Sequence, residues 1–283
     1  MKKIYTLIAL CMFLNSCAFN LEQNCYNFDN FKDTPLWELA QAVRADDAIK
    51  VKQILKDNKL KIDLKEPKFN QTLLNLAILN KKRNAFLELL NAGANPNELI
   101  GIPTDSTPFV EGVKNVHNCD LYFVENMLKH GANPNLEIKN PQPEYFFENS
   151  FPLLAAIGNS DDNGIDCLNL YELLLNNGAD INCCYKQPDS EICEGVLAKA
   201  ITLRRMETLK YFVIEKKMTI PDTVIILGEA NKKTQEAYWL REILNTEDYK
   251  FKDFESEGKK IDRSRLRKAR NEILEYLNKN NKK

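Results

Sequence analysis

Apolar residues recur at helical spacing along most of the chain, most clearly over residues 72–97, which read TLLNLAILNKKRNAFLELLNAGANPN. Leu73, Leu76 and Ala77 fall at i, i+3 and i+4, and Phe86, Leu89 and Leu90 repeat that spacing. Each half therefore predicts a helix with one apolar stripe. The polar run Asn80-Lys81-Lys82-Arg83 between them suits only a tight turn joining antiparallel helices. Gly93 follows the second helix where a left-handed residue is wanted, a conformation that costs glycine nothing. Neither short helix can bury its stripe alone, so the unit requires neighbours stacked on both sides.

The neighbours are present. GANPN at 93–97 returns at 131–135, and as GADIN at 178–182, closing the apolar helices FLELLNAG, FVENMLKHG and YELLLNNG. Ahead of each lies an opener: Thr72-Leu73-Leu74, Thr107-Pro108-Phe109 and Phe151-Pro152-Leu153. An earlier copy stands at Thr34-Pro35-Leu36-Trp37 and a decayed one at Gly195-Val196-Leu197-Ala198. This pattern resembles the ankyrin repeat, whose period is about 33 residues and whose signature is TPLHxA followed by a GADxN-like close.

The resemblance covers residues 34–221 and implies an all-α fold: an ankyrin-repeat solenoid of about five helix-turn-helix repeats with long β-hairpin fingers. Extra residues separate the helices of the third and fourth repeats, around 116–120 and 160–166. The first and last copies lack the closing glycine, as expected where one face meets water. A degenerate capping repeat is expected over 222–245, from an apolar run at 223–227 and an amphipathic helix at 235–244. A charged linker and a C-terminal basic helix fill 246–283, the helix carrying Leu266, Ile273 and Leu277 on one stripe. Its Arg263, Arg265, Arg267, Lys268 and Arg270 either meet anionic lipid or an acidic partner, or form the solvated face of a cap.

The chain begins MKKIYTLIALCMFLNSCA: two lysines, then an apolar run over 4–14 too short for an ordinary transmembrane helix. That is the layout of a secretory signal. The run ends Leu14-Asn15-Ser16-Cys17, which resembles a bacterial lipobox; the alternative is a plain cleaved signal in which Cys17 has no role. Read as a lipobox, residues 1–16 are a lipoprotein signal peptide and Cys17 is acylated. At about 0.8 kcal/mol per buried CH₂, more than one acyl chain anchors stably. Ala18 in place of aspartate then implies the outer membrane, facing the periplasm. Residues 17–33 form a lipid-anchored tether, or Phe28 and Phe31, at i and i+3, plug the open end of the first repeat.

Export changes what the cysteines mean. Cys11 and Cys17 aside, Cys25, Cys119, Cys167, Cys183, Cys184 and Cys193 form an even set suited to an oxidising compartment. Repeat register puts Cys119 and Cys167 in nearly equivalent places, each ahead of the second helix of adjacent repeats, so stacking brings them close. Cys193 ends the finger that opens with Cys183-Cys184, so one of that pair closes it. The spacing lacks CxxC and only His117 and His130 are present, so no metal site is expected.

Lys and Arg total 39 against 40 Asp and Glu, a balance with no bulk pull toward nucleic acid. GxSxG, HExxH and GxxxxGK[ST] are all missing, so the sequence indicates neither an enzyme nor a cofactor. In ankyrin proteins the partner meets the fingers and first helices, which form a concave surface. By register that implies Lys68, Phe69 and Thr104 on fingers, and Asn80 and Lys114 on inner helices. Tyr145, Phe146 and Phe147 on the long third finger are either interface anchors or folded back over the adjoining repeat.

The layout is similar to ankyrin lipoproteins of Gram-negative bacteria, among them immunity proteins against envelope-attacking toxins such as type VI phospholipase effectors. The resemblance implies a lipid-anchored monomer that binds and neutralises a toxin. The alternative is an envelope scaffold or oxidative-stress accessory.

Overall fold

The computed structural model describes residues 26–57, 60–101, 106–138, 151–162, 164–186, 193–218, 224–227, 235–238, 244 and 263–280. The expected signal segment, Cys17, Cys25, Thr104 in the second finger, and Tyr145, Phe146 and Phe147 lie outside them. The chain divides into two compact units. One runs up to Gly112 and takes in Asn126–Ala132; the other holds Val113–Glu125 and the chain from Asn133 onward.

In the first unit, α1 (Trp37–Arg44) and α2 (Ala48–Asp57) form one helix pair, and α3 (Leu73–Leu79) and α4 (Arg83–Asn91) the next. Thr72 caps α3, its Oγ1 accepting from the Asn75 N–H at 3.3 Å. That is the physical use of the opener's threonine. Leu73, Leu76, Ala77, Phe86 and Leu89 are fully buried, so the two stripes meet in one core. Each of the leucines and Phe86 contributes about 1.5–3 kcal/mol relative to exposure. Between the helices of a pair the chain turns on a single left-handed residue, Asp46 (φ 56°) or Lys81 (φ 56°).

Of the two expectations for the segment before the first repeat, Phe28 and Phe31 follow the packed one. Phe28–Phe31 is a 3₁₀ turn capped by Asn27, with Phe28 and Phe31 buried against α1. Arg44 of α1 donates to Asn27 Oδ1 at 3.1 Å and lies over the Phe28 ring, 5.9 Å from its centroid.

Two further helices, α5 (Pro108–Lys114) and α6 (Tyr122–Lys129), are followed by α7 (Pro152–Ala156) and α8 (Leu168–Asn176). The closing glycines Gly93, Gly131 and Gly178 have φ of 92°, 85° and 88°. The last asparagine of each GANPN reaches the next closing motif. Asn97 donates from Nδ2 to the Gly131 carbonyl at 2.9 Å in the first unit. Asn135 donates to the Gly178 carbonyl at 2.7 Å in the second. The conserved-looking spelling of the motif is therefore an inter-repeat hydrogen-bond ladder.

The second unit also holds the finger β1 (Cys184–Lys186) and β2 (Cys193–Gly195), an antiparallel pair in which Cys184 faces Gly195 and Lys186 faces Cys193. It feeds α9 (Val196–Thr202) and α10 (Met206–Lys210), which continues as a π turn over Tyr211–Glu215. Tyr171, Tyr211 and Phe212 pack there with ring centroids 5.2–6.1 Å apart. The helix expected over 235–244 is not formed as such: Gln235–Tyr238 is strand β4, paired antiparallel with β3, Val224–Leu227. The run Val-Ile-Ile-Leu favours a pleated partner over a helix. The last helix, α11 (Arg263–Asn280), buries Leu266, Ala269, Ile273 and Leu277 and packs on α10. Arg265 pairs with Glu207 at 2.8 Å and Lys210 with Glu272 at 2.6 Å, so α11 is a cap.

Candidate protein-binding surfaces

The first finger is built around a carboxylate that sequence reading passed over. Glu66 is 1% exposed, and its oxygens accept from the N–H groups of Lys68 (2.7 Å), Phe69 (2.8 Å) and Gln71 (3.0 Å). Its own N–H donates to the Gln71 carbonyl at 3.0 Å. Asn70 takes φ 56° to close the turn and donates from Nδ2 to the Gly101 carbonyl at 3.0 Å. A finger tip is thus rigid without a strand ladder, because one charged acceptor satisfies three backbone donors. Lys68 is exposed and Phe69 half-buried, with the ammonium 4.8 Å from the ring centroid. These two expected contact residues are held side by side.

Asn80, expected on an inner helix, is half-buried with its side-chain amide engaged. Its side-chain amide donates to the Leu76 carbonyl at 2.9 Å and to the Tyr26 carbonyl at 3.1 Å. Tyr26 reaches this corner of the first repeats, and the amide also closes a helix end.

Lys114 lies in the other unit. It lines a cavity of about 280 Å³ together with Ala155, Ile157, Gly158, Asn159, Lys199, Leu203 and Arg205. Asn159 is fixed there by donating from Nδ2 to the Val113 carbonyl at 2.8 Å. Arg205 donates to the Gly158 carbonyl at 2.5 Å and to Asp166 Oδ1 at 3.2 Å. Lys199 is 9% exposed. Periodicity could have found Lys199, since it takes the variable place of the decayed opener; Arg205 shows no local signal.

The cysteines divide unevenly. Cys119 and Cys167 form a disulfide with Cα atoms 5.3 Å apart, tying together the two inserted segments. Cys184 is disulfide-bonded, and the side chain of Cys193 lies outside the described ones. Cys183, offered as an alternative partner for Cys193, is a buried free thiol. Neighbouring residues entering a strand face opposite ways, so only one of the pair can address the finger. Burial, with the Asp180 charge adding to it, pushes the Cys183 thiol up to about 12.

No family model matches the chain, and no curated protein matches it. Among solved structures it is similar to the crystal structure of EF0377, an ankyrin repeat protein. The identity is 21% and the TM-score 0.52, over 86% of this chain and 98% of that one. It is also similar to the human ASB11 ankyrin repeat domain, at 19% identity and TM-score 0.46, over 64% of this chain and 69% of that one. Paired antiparallel helices, left-handed closing glycines, an asparagine ladder and the EF0377 likeness agree: the fold of this chain is an all-α ankyrin-repeat solenoid.

Proposed function

We propose that this chain is a non-catalytic, protein-binding ankyrin lipoprotein of the bacterial envelope, acting as a monomer that binds and neutralises an antibacterial toxin. Cys17 carries the lipid, and the outer membrane displays the repeats to the periplasm. The observation that carries the binding reading is the division of labour in the first finger. Backbone donors are taken up by Glu66, while Lys68 and Phe69 project from the clamped tip. A rigid scaffold presenting variable side chains on loops is what a recognition surface requires. Tyr145, Phe146 and Phe147 add the aromatic anchor on the third finger, and the export signal with its even set of cysteines supports the envelope location.

The test is capture of a partner by the purified chain carrying Cys17→Ser, identified by mass spectrometry and checked with the isolated partner. An exported toxin whose activity falls on binding supports the reading. A partner with no toxic activity moves the assignment to an envelope scaffold. Truncating Tyr145, Phe146 and Phe147 to alanine should cost about 2 kcal/mol or more of binding, roughly thirtyfold in affinity. Continued fatty-acid labelling of Cys17→Ser would end the lipoprotein assignment.

A further inference from the structure

Cys119 and Cys167 enter their bridge from unequal surroundings. Cys167 is 1% exposed, whereas Cys119 is half-buried beside the exposed His117 and Asn118. Cys167 is held from both sides. Its N–H donates to the Asn159 carbonyl at 3.1 Å, and its neighbour Asp166 is taken up by Thr208 and Arg205. Asn159 is itself fixed to the Val113 carbonyl. Cys119 stands in a turn closed locally, where the Asp120 N–H donates to the His117 carbonyl at 3.0 Å. In that turn Asn118 and Cys119 take φ of 51° and 54°, two successive left-handed residues with no glycine. Such a backbone is unfavourable and persists where its surroundings impose it, here through the covalent link to the held Cys167.

The two sulfurs also differ as leaving groups. Cys167 is the N-cap residue of α8, and no side chain caps that helix end. A thiolate released there lies beside the first backbone N–H groups and the positive end of the helix dipole. Disulfide exchange is faster when the departing sulfur is the better stabilised anion, and it requires access to the sulfur attacked. Both conditions select Cys119 for attack and Cys167 for departure.

We propose that the Cys119–Cys167 bridge is a redox switch, opened from the Cys119 side by a dithiol reductant, that releases the turn ahead of α6 while the repeats stay folded. A reductant thiolate attacks Cys119 Sγ, the S–S bond breaks, and Cys167 departs with the electron pair and takes up a proton. The reductant's second thiol then loses its proton and attacks the mixed disulfide, and Cys119 leaves as a thiolate that is protonated in turn. The chain gains two electrons and two protons, and the reductant becomes a disulfide. The inserted turn, with His117 and Asn118 on its surface, keeps its fixed shape only in the oxidised chain. This switch goes beyond the protein-binding reading and does not depend on the partner's identity.

The test uses the full oxidised chain with glutathione as the attacking thiol, stopped with acid and N-ethylmaleimide and mapped by peptide mass spectrometry. Early in the reaction glutathione should be found on Cys119 and maleimide on Cys167. The opening rate should stay nearly level across urea concentrations below the unfolding transition, because the native chain reacts. After complete reduction with dithiothreitol, amide exchange over 117–120 should rise at least tenfold, with protection inside α8 retained. No substituted chain is needed, so misfolding of a variant cannot imitate a result. Glutathione on Cys167, or a rate climbing with urea as steeply as global unfolding, would overturn the proposal. So would unchanged exchange over 117–120, or a rise that spreads equally through α8, since either leaves the bridge a structural staple.

Discussion

Asp166 accepts two hydrogen bonds from one residue of the following repeat: from the Thr208 N–H at 3.0 Å and from Thr208 Oγ1 at 2.7 Å. Helix α10 has no side-chain cap of its own, so its first donors are satisfied by the preceding repeat. The same device operates in the first unit, where Asp46 accepts from the Ala85 N–H at 2.8 Å at the uncapped start of α4. In the second unit the network extends further, since Thr208 Oγ1 also meets the Tyr171 hydroxyl at 3.1 Å.

Removing Asp166 should therefore be costly. Its side chain is 5% exposed, and Asp166→Ala leaves Arg205 and the Thr208 donors without their acceptor. A loss of about 3 kcal/mol in urea unfolding is expected. Asp166→Asn should lose less, because one carbonyl acceptor remains. A loss under about 1 kcal/mol for Asp166→Ala would show that the capping is dispensable.

The Cys119–Cys167 bridge spans 48 residues of sequence. Opening it with Cys119→Ser should lower stability by about 2–4 kcal/mol through the unfolded chain's regained freedom. Reductant should lower the stability of the parent by more than that of the variant, which keeps, among the described residues, only the bridge at Cys184. Equal melting of parent and variant in oxidising buffer would contradict this.

Cys183 should resist modification in the folded protein. The unfolded thiol titrates near its ordinary 9.0, while the folded one is pushed up to about 12 by burial. Between those values the folded chain keeps a proton that the unfolded chain gives up. Its contribution to stability is complete below pH 9 and declines as pH rises through the window. Maleimide should label Cys183 only after denaturation, and Cys183→Ala should flatten the alkaline loss of stability. Non-reducing peptide maps should place Cys193 with Cys184; labelling of native Cys183 at pH 8 would refute the buried thiol.

Glu66→Ala should loosen the first finger and spare the array. Three backbone donors lose their acceptor, so amide exchange at Lys68, Phe69 and Gln71 should rise by about tenfold or more. Protection within α3 and α4 should stay the same. Unchanged exchange at the finger would mean that the strand-like partner at Gly101 suffices to hold it.

The repeats were legible because their determinants are local. A stripe at i, i+3 and i+4, a threonine before a helix and a glycine after it each act within a turn of chain. Register then brought Cys119 opposite Cys167, since equivalent positions of adjacent repeats are neighbours in space. Other features depended on which side chain turns where after stacking. Asn80 was placed by register on an inner helix, and only packing sets its amide at a helix end against the Tyr26 carbonyl. Cys183 and Cys184 are equal in sequence, and only the direction of each side chain separates thiol from disulfide. Asp46 and Asp166 cap helices roughly a repeat ahead, an arrangement that exists only once the helix pairs are packed. The cavity of Lys114, Lys199 and Arg205 belongs to the same class. Lys114 comes from α5 and Lys199 and Arg205 from the α9–α10 pair, and tertiary packing alone sets them around one space.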